Sequence, residues 1–369
     1  MKFFKLLVLV LAFCLSFSIT GKALQTSAKS SILINADTLG VLYSDNAEIQ
    51  LPMASTTKIM TALILAEQNT PDRIVKTTAE MVYVEGSSMG LKVGDTVTFS
   101  DLLYGILLPS GNDAANTAAI AIAGSTEKFA LLMNKRAQEI GLHNTNFVTP
   151  SGLDAEEHYT TAHDLAVLTA FALKNEAFLN AASSKSRKVT ISGNSVTLTN
   201  HNKLLNNYEG CIGVKTGYTS KSGRCLVSAA KRGSITLVAV TLNDGNDWSD
   251  HKALLDYGFS VTENSAVFPK SPNKIPTISN NITNVEIECK PLEIGLSVSD
   301  KIVEKVFAPS VLFLPLKQGE VIGYTEFYSG DHLIKKENII VKNNYVEEPI
   351  KITFIERLFK TFIVIFRSI

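Results

Sequence analysis

Pro52-Met53-Ala54-Ser55-Thr56-Thr57-Lys58-Ile59-Met60-Thr61-Ala62-Leu63 is the stretch on which the reading of this chain turns. Ile59, Ala62, Leu63 and Ala66 recur at helical spacing, which predicts a buried helix from Lys58 to about Gln68. Pro52 supplies a start signal just before it. Ser55 then falls on the first turn, where unpaired backbone N–H groups and the helix dipole favour negative charge. Lys58 follows three residues later, so its amine stands over the same face as the serine hydroxyl. A serine is a weak nucleophile until a base takes its proton, and a lysine can do so only when its own pKa is lowered. In isolation such a pair reads as an N-capping serine and a surface lysine.

Two further groups change that reading. Pro109-Ser110-Gly111-Asn112-Asp113 breaks a helix predicted over 99–108, capped by Ser100, from an alanine-rich one predicted over 114–123. A tight loop between buried helices can push side chains into a cavity: a hydroxyl from Ser110, and an amide with both donor and acceptor from Asn112. Gly213-Val214-Lys215-Thr216-Gly217-Tyr218 leads through a Ser/Gly-rich turn into 225–230 and 235–242, three β-branched runs that read as antiparallel strands. Gly217 would admit a ligand's backbone to the strand, and Lys215 would set a cation beside it.

S-x-x-K at Ser55/Lys58, S-x-N at Ser110/Asn112 and K-T-G at Lys215–Gly217 thus occur in order, on a helix start, an inter-helix loop and a strand. This trio is shared by penicillin-binding proteins and class A β-lactamases. With Leu102–Ala115, the Phe147…Gly152-Leu153 loop and Ala253-Leu-Leu-Asp-Tyr-Gly-Phe259, residues 30–260 resemble the low-molecular-mass D-alanyl-D-alanine carboxypeptidases. The resemblance implies a mixed α/β, β-lactamase/DD-peptidase-like domain, an antiparallel sheet covered by helices. It implies Ser55 as nucleophile, Lys58 as its base and Ser110 as proton relay. Asn112, Lys215, Thr216, Gly217 and Tyr218 would bind substrate, with the N–H groups of Ser55 and Tyr218 as oxyanion hole. No metal or organic cofactor is implied, and β-lactams are expected as inhibitors. One departure stands out: where many relatives have Arg before Asn-x-Leu-Leu, this chain has His201 before Asn202-Lys203-Leu204-Leu205. A β-lactamase, a cross-link endopeptidase and a non-hydrolytic β-lactam sensor share the trio. Against the first, the 156–159 segment Glu-Glu-His-Tyr lacks the Glu-x-x-Leu-Asn pattern.

The 369 residues, 45% hydrophobic and 19% charged, suit two domains with ordinary cores, and equal numbers of basic and acidic residues leave no footprint for nucleic acid. Lys2 and Lys5, the apolar 6–17 run and Gly21-Lys22-Ala23 predict a secretory signal over 1–23. The catalytic domain is expected over 24–264 and a small all-β domain over 277–347, with short strands including 285–288, 294–298, 311–314, 321–324 and 339–341. Over 351–369, Ile352, Ile355, Phe359, Phe362 and Phe366 oppose a stripe with Glu356, Arg357, Lys360 and Arg367. This predicts an amphipathic helix lying in a membrane surface, which would hold the exported protein at the outer face of the cytoplasmic membrane. Cys211, Cys225 and Cys289, an odd number past the signal, are expected as buried thiols. His158, His163 and His201 lack metal-ligand spacing and are expected to be structural.

Overall fold

The computed structural model describes residues 24–279 and 281–346, so the expected signal peptide and C-terminal amphipathic helix lie outside the described residues. The chain divides into two compact units, the smaller comprising the chain from Thr262 onward with the short stretches Asp37–Gly40 and Gly233–Ile235.

The larger unit is built on a five-stranded antiparallel sheet of β1 (Ser30–Asn35), β2 (Val41–Asp45), β3 (Cys211–Thr219), β4 (Gly223–Arg232) and β5 (Ile235–Leu242), in the order β2-β1-β5-β4-β3. Residues 31–35 and 41–43, which flank Asp37-Thr38-Leu39-Gly40 and so predict a β-hairpin, do form one, Leu33 pairing with Tyr43. β1 and β5 are almost wholly buried because helices close both faces of the sheet. Leu33 meets Gly258 of the helix Asp247–Ser260, so Ile32 and Ile34, which alternate with it, face the other way and are equally buried. Among the described residues β3 pairs with β4 alone, which leaves its second edge able to accept another extended chain.

The longer helices are α1 (Lys58–Glu67), α2 (Phe99–Leu107), α3 (Asn112–Ala123), α4 (Thr126–Ile140), α5 (Ala162–Ala172), α6 (Glu176–Ala182) and α7 (Asp247–Ser260), with single turns at Ala79–Val82 and Leu204–Asn207. Every residue of α1 from Lys58 to Ala66 is buried, as an element without a polar face must be. Three details depart from the sequence reading. α2 is capped by Thr98, which accepts from the Asp101 N–H, not by Ser100, because Phe99 already has helical geometry. α3 begins at Asn112, so the amide sits on a helix start while Ser110 keeps the loop. The turn-rich 86–95 stretch, whose sequence predicts a loop with short strands, forms no strand; the nearest pairing is Ile74–Lys76 with Thr96–Thr98. α6 had no clear signal in its seven residues, and its cap Asn175 emerges only once folded.

The smaller unit is all-β. Lys274–Pro276, Asn284–Cys289, His332–Val341, Val321–Ser329 and Ile302–Phe307 lie side by side in that order, and Thr262–Val267 pairs with Leu292–Ser297. Val285, Ile287, Ile339 and Val341 pack with Leu312 and Leu316, while Phe327 packs with Leu292 and Ile294. The expected strand at 311–314 is only an isolated bridge from Leu312 to Thr277: its side chain fills the core but its backbone joins no ladder. Of the three cysteines among the described residues, all free, only Cys225 is buried; Cys211 and Cys289 are half-buried.

At Gly258, α7 packs tightly against the sheet. A Cβ there would stand 2.6 Å from a Leu237 methyl and 2.8 Å from a Leu33 methyl, both fully buried. Overpacking costs about 1–3 kcal/mol, against a gain of at most about 1 kcal/mol from alanine's better helix propensity. Gly258→Ala is therefore expected to lower the melting temperature, measured by circular dichroism; an unchanged or raised value would show that α7 can move off the sheet freely.

Candidate active site

Ala54–Thr57 forms a 3-10 turn that runs directly into α1 and holds Ser55 half-exposed at its start. Lys58, the first residue of α1, is fully buried. Its Nζ lies 3.0 Å from Ser55 Oγ, 2.6 Å from Asn112 Oδ1 and 2.5 Å from the Ser151 carbonyl oxygen. Those three acceptors come from three separate segments, so one amine ties them together. Burial, and then the charge of Lys215, push the Lys58 amine well below its ordinary pKa, while Asp113 partly opposes them. A neutral amine donates twice and accepts once. Donation to Asn112 and Ser151 leaves its lone pair for the Ser55 hydroxyl.

Asn112 is itself held, its Nδ2 donating to the Glu85 carbonyl at 2.6 Å. Ser110 has a left-handed backbone, φ +63°, and its buried hydroxyl makes no hydrogen bond within the described structure. Both it and Ser55 line a cleft of about 400 Å³ together with Ser87, His201, Thr216 and Tyr218. An unpartnered hydroxyl in a cleft wall is costly unless a ligand completes it.

On the opposite wall is β3. Lys215 is buried, donates to the Thr216 carbonyl at 2.8 Å, and is brought down to about 7 by burial. The glycine of this triplet has a role that sequence reading assigned to ligand approach. A Cβ on Gly217 would lie 3.1 Å from the backbone nitrogens of both Ser55 and Thr56, so it is the Ala54–Thr57 turn that comes close. Tyr218, next on the strand, is exposed at the cleft. The three motifs therefore converge, and Ser55, Lys58, Ser110, Asn112, Lys215, Thr216, Gly217 and Tyr218 lie around or beneath one cleft.

Several supporting residues carry no motif of their own. Asp113 accepts from the Ser88 hydroxyl and from the N–H groups of Met89, Gly90 and Leu91, fixing the 86–91 loop over Asn112. Gly152, at φ +83°, lies against the Ala54 carbonyl, where any side chain would collide. His158 Nδ1 accepts from the Val148 N–H at 2.9 Å, and its Nε2 lies 2.8 Å from Thr57 Oγ1. Thr57 in turn donates to the Ala54 carbonyl, so the histidine braces the 148–158 loop against the Ala54–Thr57 turn. Only its place within a Gly/Pro-rich loop hinted at this.

The fold and the site define an active-site-serine acyl transferase of the S-x-x-K class. Comparison with known proteins then gives the family. A family model described as D-alanyl-D-alanine carboxypeptidase, peptidase family S11, matches residues 18–246. D-alanyl-D-alanine carboxypeptidase DacF of Bacillus subtilis is 31% identical over 352 residues, covering 90% of each chain. DacC of Escherichia coli is 33% identical over 355 residues, covering 89% of this chain and 86% of its own. Among solved structures, the DacD carboxypeptidase of Francisella tularensis aligns with a TM-score of 0.64 at 26% identity, over 89% of this chain and 96% of its own. Penicillin-binding protein 5 of Haemophilus influenzae gives the same TM-score and identity over 88% and 98%. The chain belongs to the D-alanyl-D-alanine carboxypeptidase family of serine peptidases.

Burial holds His158 neutral, with its pKa brought down to about 4 from 6.5. A histidine depressed in the fold stabilises above its unfolded pKa, and that contribution is lost as pH falls towards the folded value. Melting temperature is thus expected to drop between about pH 6.5 and 4, because in that window the unfolded chain's histidine takes up a proton that the folded ring, whose Nδ1 is held as acceptor by the Val148 N–H, does not. His251, brought down to about 3 by burial, adds its own share. His158→Gln should remove the His158 part of that acid slope while lowering stability at pH 7; an unaltered slope would leave the brace unsupported.

Proposed function

We propose that Ser55, Lys58 and Ser110 form the catalytic group of a serine-type D-Ala-D-Ala carboxypeptidase, the activity named for the family to which the chain belongs. The observation that carries the assignment is the fully buried Lys58 amine, 3.0 Å from a half-exposed Ser55 hydroxyl. The substrate is a peptidoglycan stem peptide ending in D-Ala-D-Ala, laid along the free edge of β3. Neutral Lys58 takes the Ser55 proton as Oγ attacks the carbonyl carbon between the two D-alanines. Negative charge on the carbonyl oxygen is met by the N–H groups of Ser55 and Tyr218, which the closeness of Gly217 to the Ser55 nitrogen sets side by side. Ser110, otherwise without a partner, passes the proton to the departing amine of the terminal D-Ala. Water then attacks the ester, Lys58 again taking the proton, and the shortened peptide leaves with Ser55 restored. Asn112 holds a substrate amide, and Lys215 and Thr216 take the terminal carboxylate; that anion beside Lys215 raises its pKa and keeps it charged. A β-lactam, whose amide mimics the scissile bond, would acylate Ser55 in the same way.

We further assign residues 24–264 to catalysis, 277–347 to the β-domain and 351–369 to an in-plane membrane anchor, with an exported enzyme facing the cell wall. Among the described residues no helix is long and apolar enough to cross a membrane.

Ser55→Ala is expected to abolish D-Ala release from a pentapeptide and labelling by penicillin, and Ser110→Ala to slow release by about 10²–10⁴-fold. In the parent, kcat/KM should fall as pH drops through the lowered pKa of Lys58, which must be unprotonated. It should also fall as pH rises above about 7, where free Lys215 loses its charge. D-Ala release that survives Ser55→Ala would contradict the assignment. Labelling without release from any D-Ala-D-Ala peptide would instead mark a sensor or a cross-link endopeptidase.

A further inference from the structure

The same cleft is also lined by Arg224, Asp247, Trp248, His201 and Lys203, none of which the reaction above uses. Arg224 stands on β4 directly opposite Tyr218 in the β3–β4 register, one residue beyond the Lys215-Thr216-Gly217 triplet on the facing strand. Its guanidinium grips Asp247 with two nitrogens: Nε donates to Oδ2 at 3.0 Å, and Nη2 donates to Oδ1. Asp247 is the first residue of α7, where a carboxylate is favoured by the helix dipole, and Oδ1 also accepts from the Trp248 N–H. The two partners are unequally placed. The Asp247 side chain is 6% exposed and its oxygens are occupied; the Arg224 side chain is 44% exposed, and its Nη1 has no hydrogen-bond partner among the described residues. One edge of the fork is locked to the protein, and the other is left unpartnered on a side chain that lines the cleft.

A substrate with a free carboxylate needs such a group here. Where many relatives have arginine, this chain has His201, and burial together with Lys215 lowers its pKa, so that it is largely uncharged at neutral pH. Lys215 is buried beneath the strand, and burial weakens its hold on a proton in the free enzyme. Lys203 is drawn to the Trp248 ring, 5.9 Å from its centroid, and offers only a point charge. Arginine stays charged at any working pH and matches a carboxylate with two parallel N–H bonds. We propose that Arg224, oriented by Asp247, joins Lys215 and Thr216 in receiving the substrate's terminal carboxylate and is the cation that determines specificity for it. This rests on the carboxypeptidase reading above and supplies the charge that His201 does not. Asp247 is a positioning residue: it limits the guanidinium to one orientation, so less freedom is lost when the peptide binds.

The test compares two thioesters of one acyl-D-alanine, with a thioglycolate leaving group as free acid or as its methyl ester. The reactive bond is the same, and only the carboxylate differs. The parent enzyme is expected to prefer the acid by tenfold or more in kcat/KM. Arg224→Gln should bring that preference close to one by losing the acid and sparing the ester. Arg224→Lys keeps a cation against Asp247 and should retain part of the preference; it carries the comparison if the glutamine variant does not fold. Asp247→Asn should raise KM for the acid more than for the ester. A preference that survives in both Arg224 variants would overturn the proposal, as would its loss in His201→Gln instead. Equal loss on both thioesters in a variant that melts like the parent would make Arg224 a structural partner only. Failure of the parent to release D-Ala from a pentapeptide, or to be acylated at Ser55, would strike the carboxypeptidase reading itself and is read separately.

Discussion

The active site hangs on a buried amine. Lys58 has no contact with water, yet its nitrogen lies within hydrogen-bond distance of a serine hydroxyl, an amide oxygen and a backbone carbonyl. As an ammonium it would satisfy all three acceptors and be useless as a base. As an amine it satisfies two and offers a lone pair to the third. What decides between them is desolvation, helped by a second buried lysine, and both disfavour the charged form. The surrounding structure serves to keep that nitrogen dry and its three neighbours in place.

Each neighbour is fixed by a different device. Asn112 is oriented by the Glu85 carbonyl and covered by a loop that four donors tie to the Asp113 carboxylate. The Ser151 carbonyl belongs to a loop whose approach to the nucleophile turn depends on Gly152 and on the His158 brace to Thr57. Ser55 is pressed towards β3 by the absence of a side chain at Gly217. Because β3 is a sheet edge, the same closeness that positions the serine leaves an unpaired backbone edge beside it. A site that cuts a peptide next to its C-terminus needs both.

Much of this was legible in the sequence because the three motifs bring their own contexts. Lys58 announces itself by starting an apolar helical run, and Lys215-Thr216-Gly217 by lying in a β-branched strand between turns. The all-β character of the smaller unit was readable from its alternating runs. Its strand count was not: Leu312 packs in the core like a strand residue while its backbone stays outside the ladder. His158, Asp113 and the Arg224–Asp247 pair act through partners distant along the chain, 101 residues away for His158 to Thr57 and 23 for Arg224 to Asp247. No local spacing encodes such contacts. Gly217 was recognised as a point of close approach, but which backbone approaches it is a tertiary fact.

The most direct test of the account is the protonation state of Lys58 in the free enzyme. Observing the side-chain nitrogen in protein labelled with 15N-lysine, with the signal assigned by its loss in Lys58→Ala, gives the titration of that amine itself. The account predicts an amine that titrates far below 10.5 and is already deprotonated in the pH range where D-Ala is released. An ammonium signal that persists unchanged to pH 10 would contradict it, and would require some other group to take the proton from Ser55.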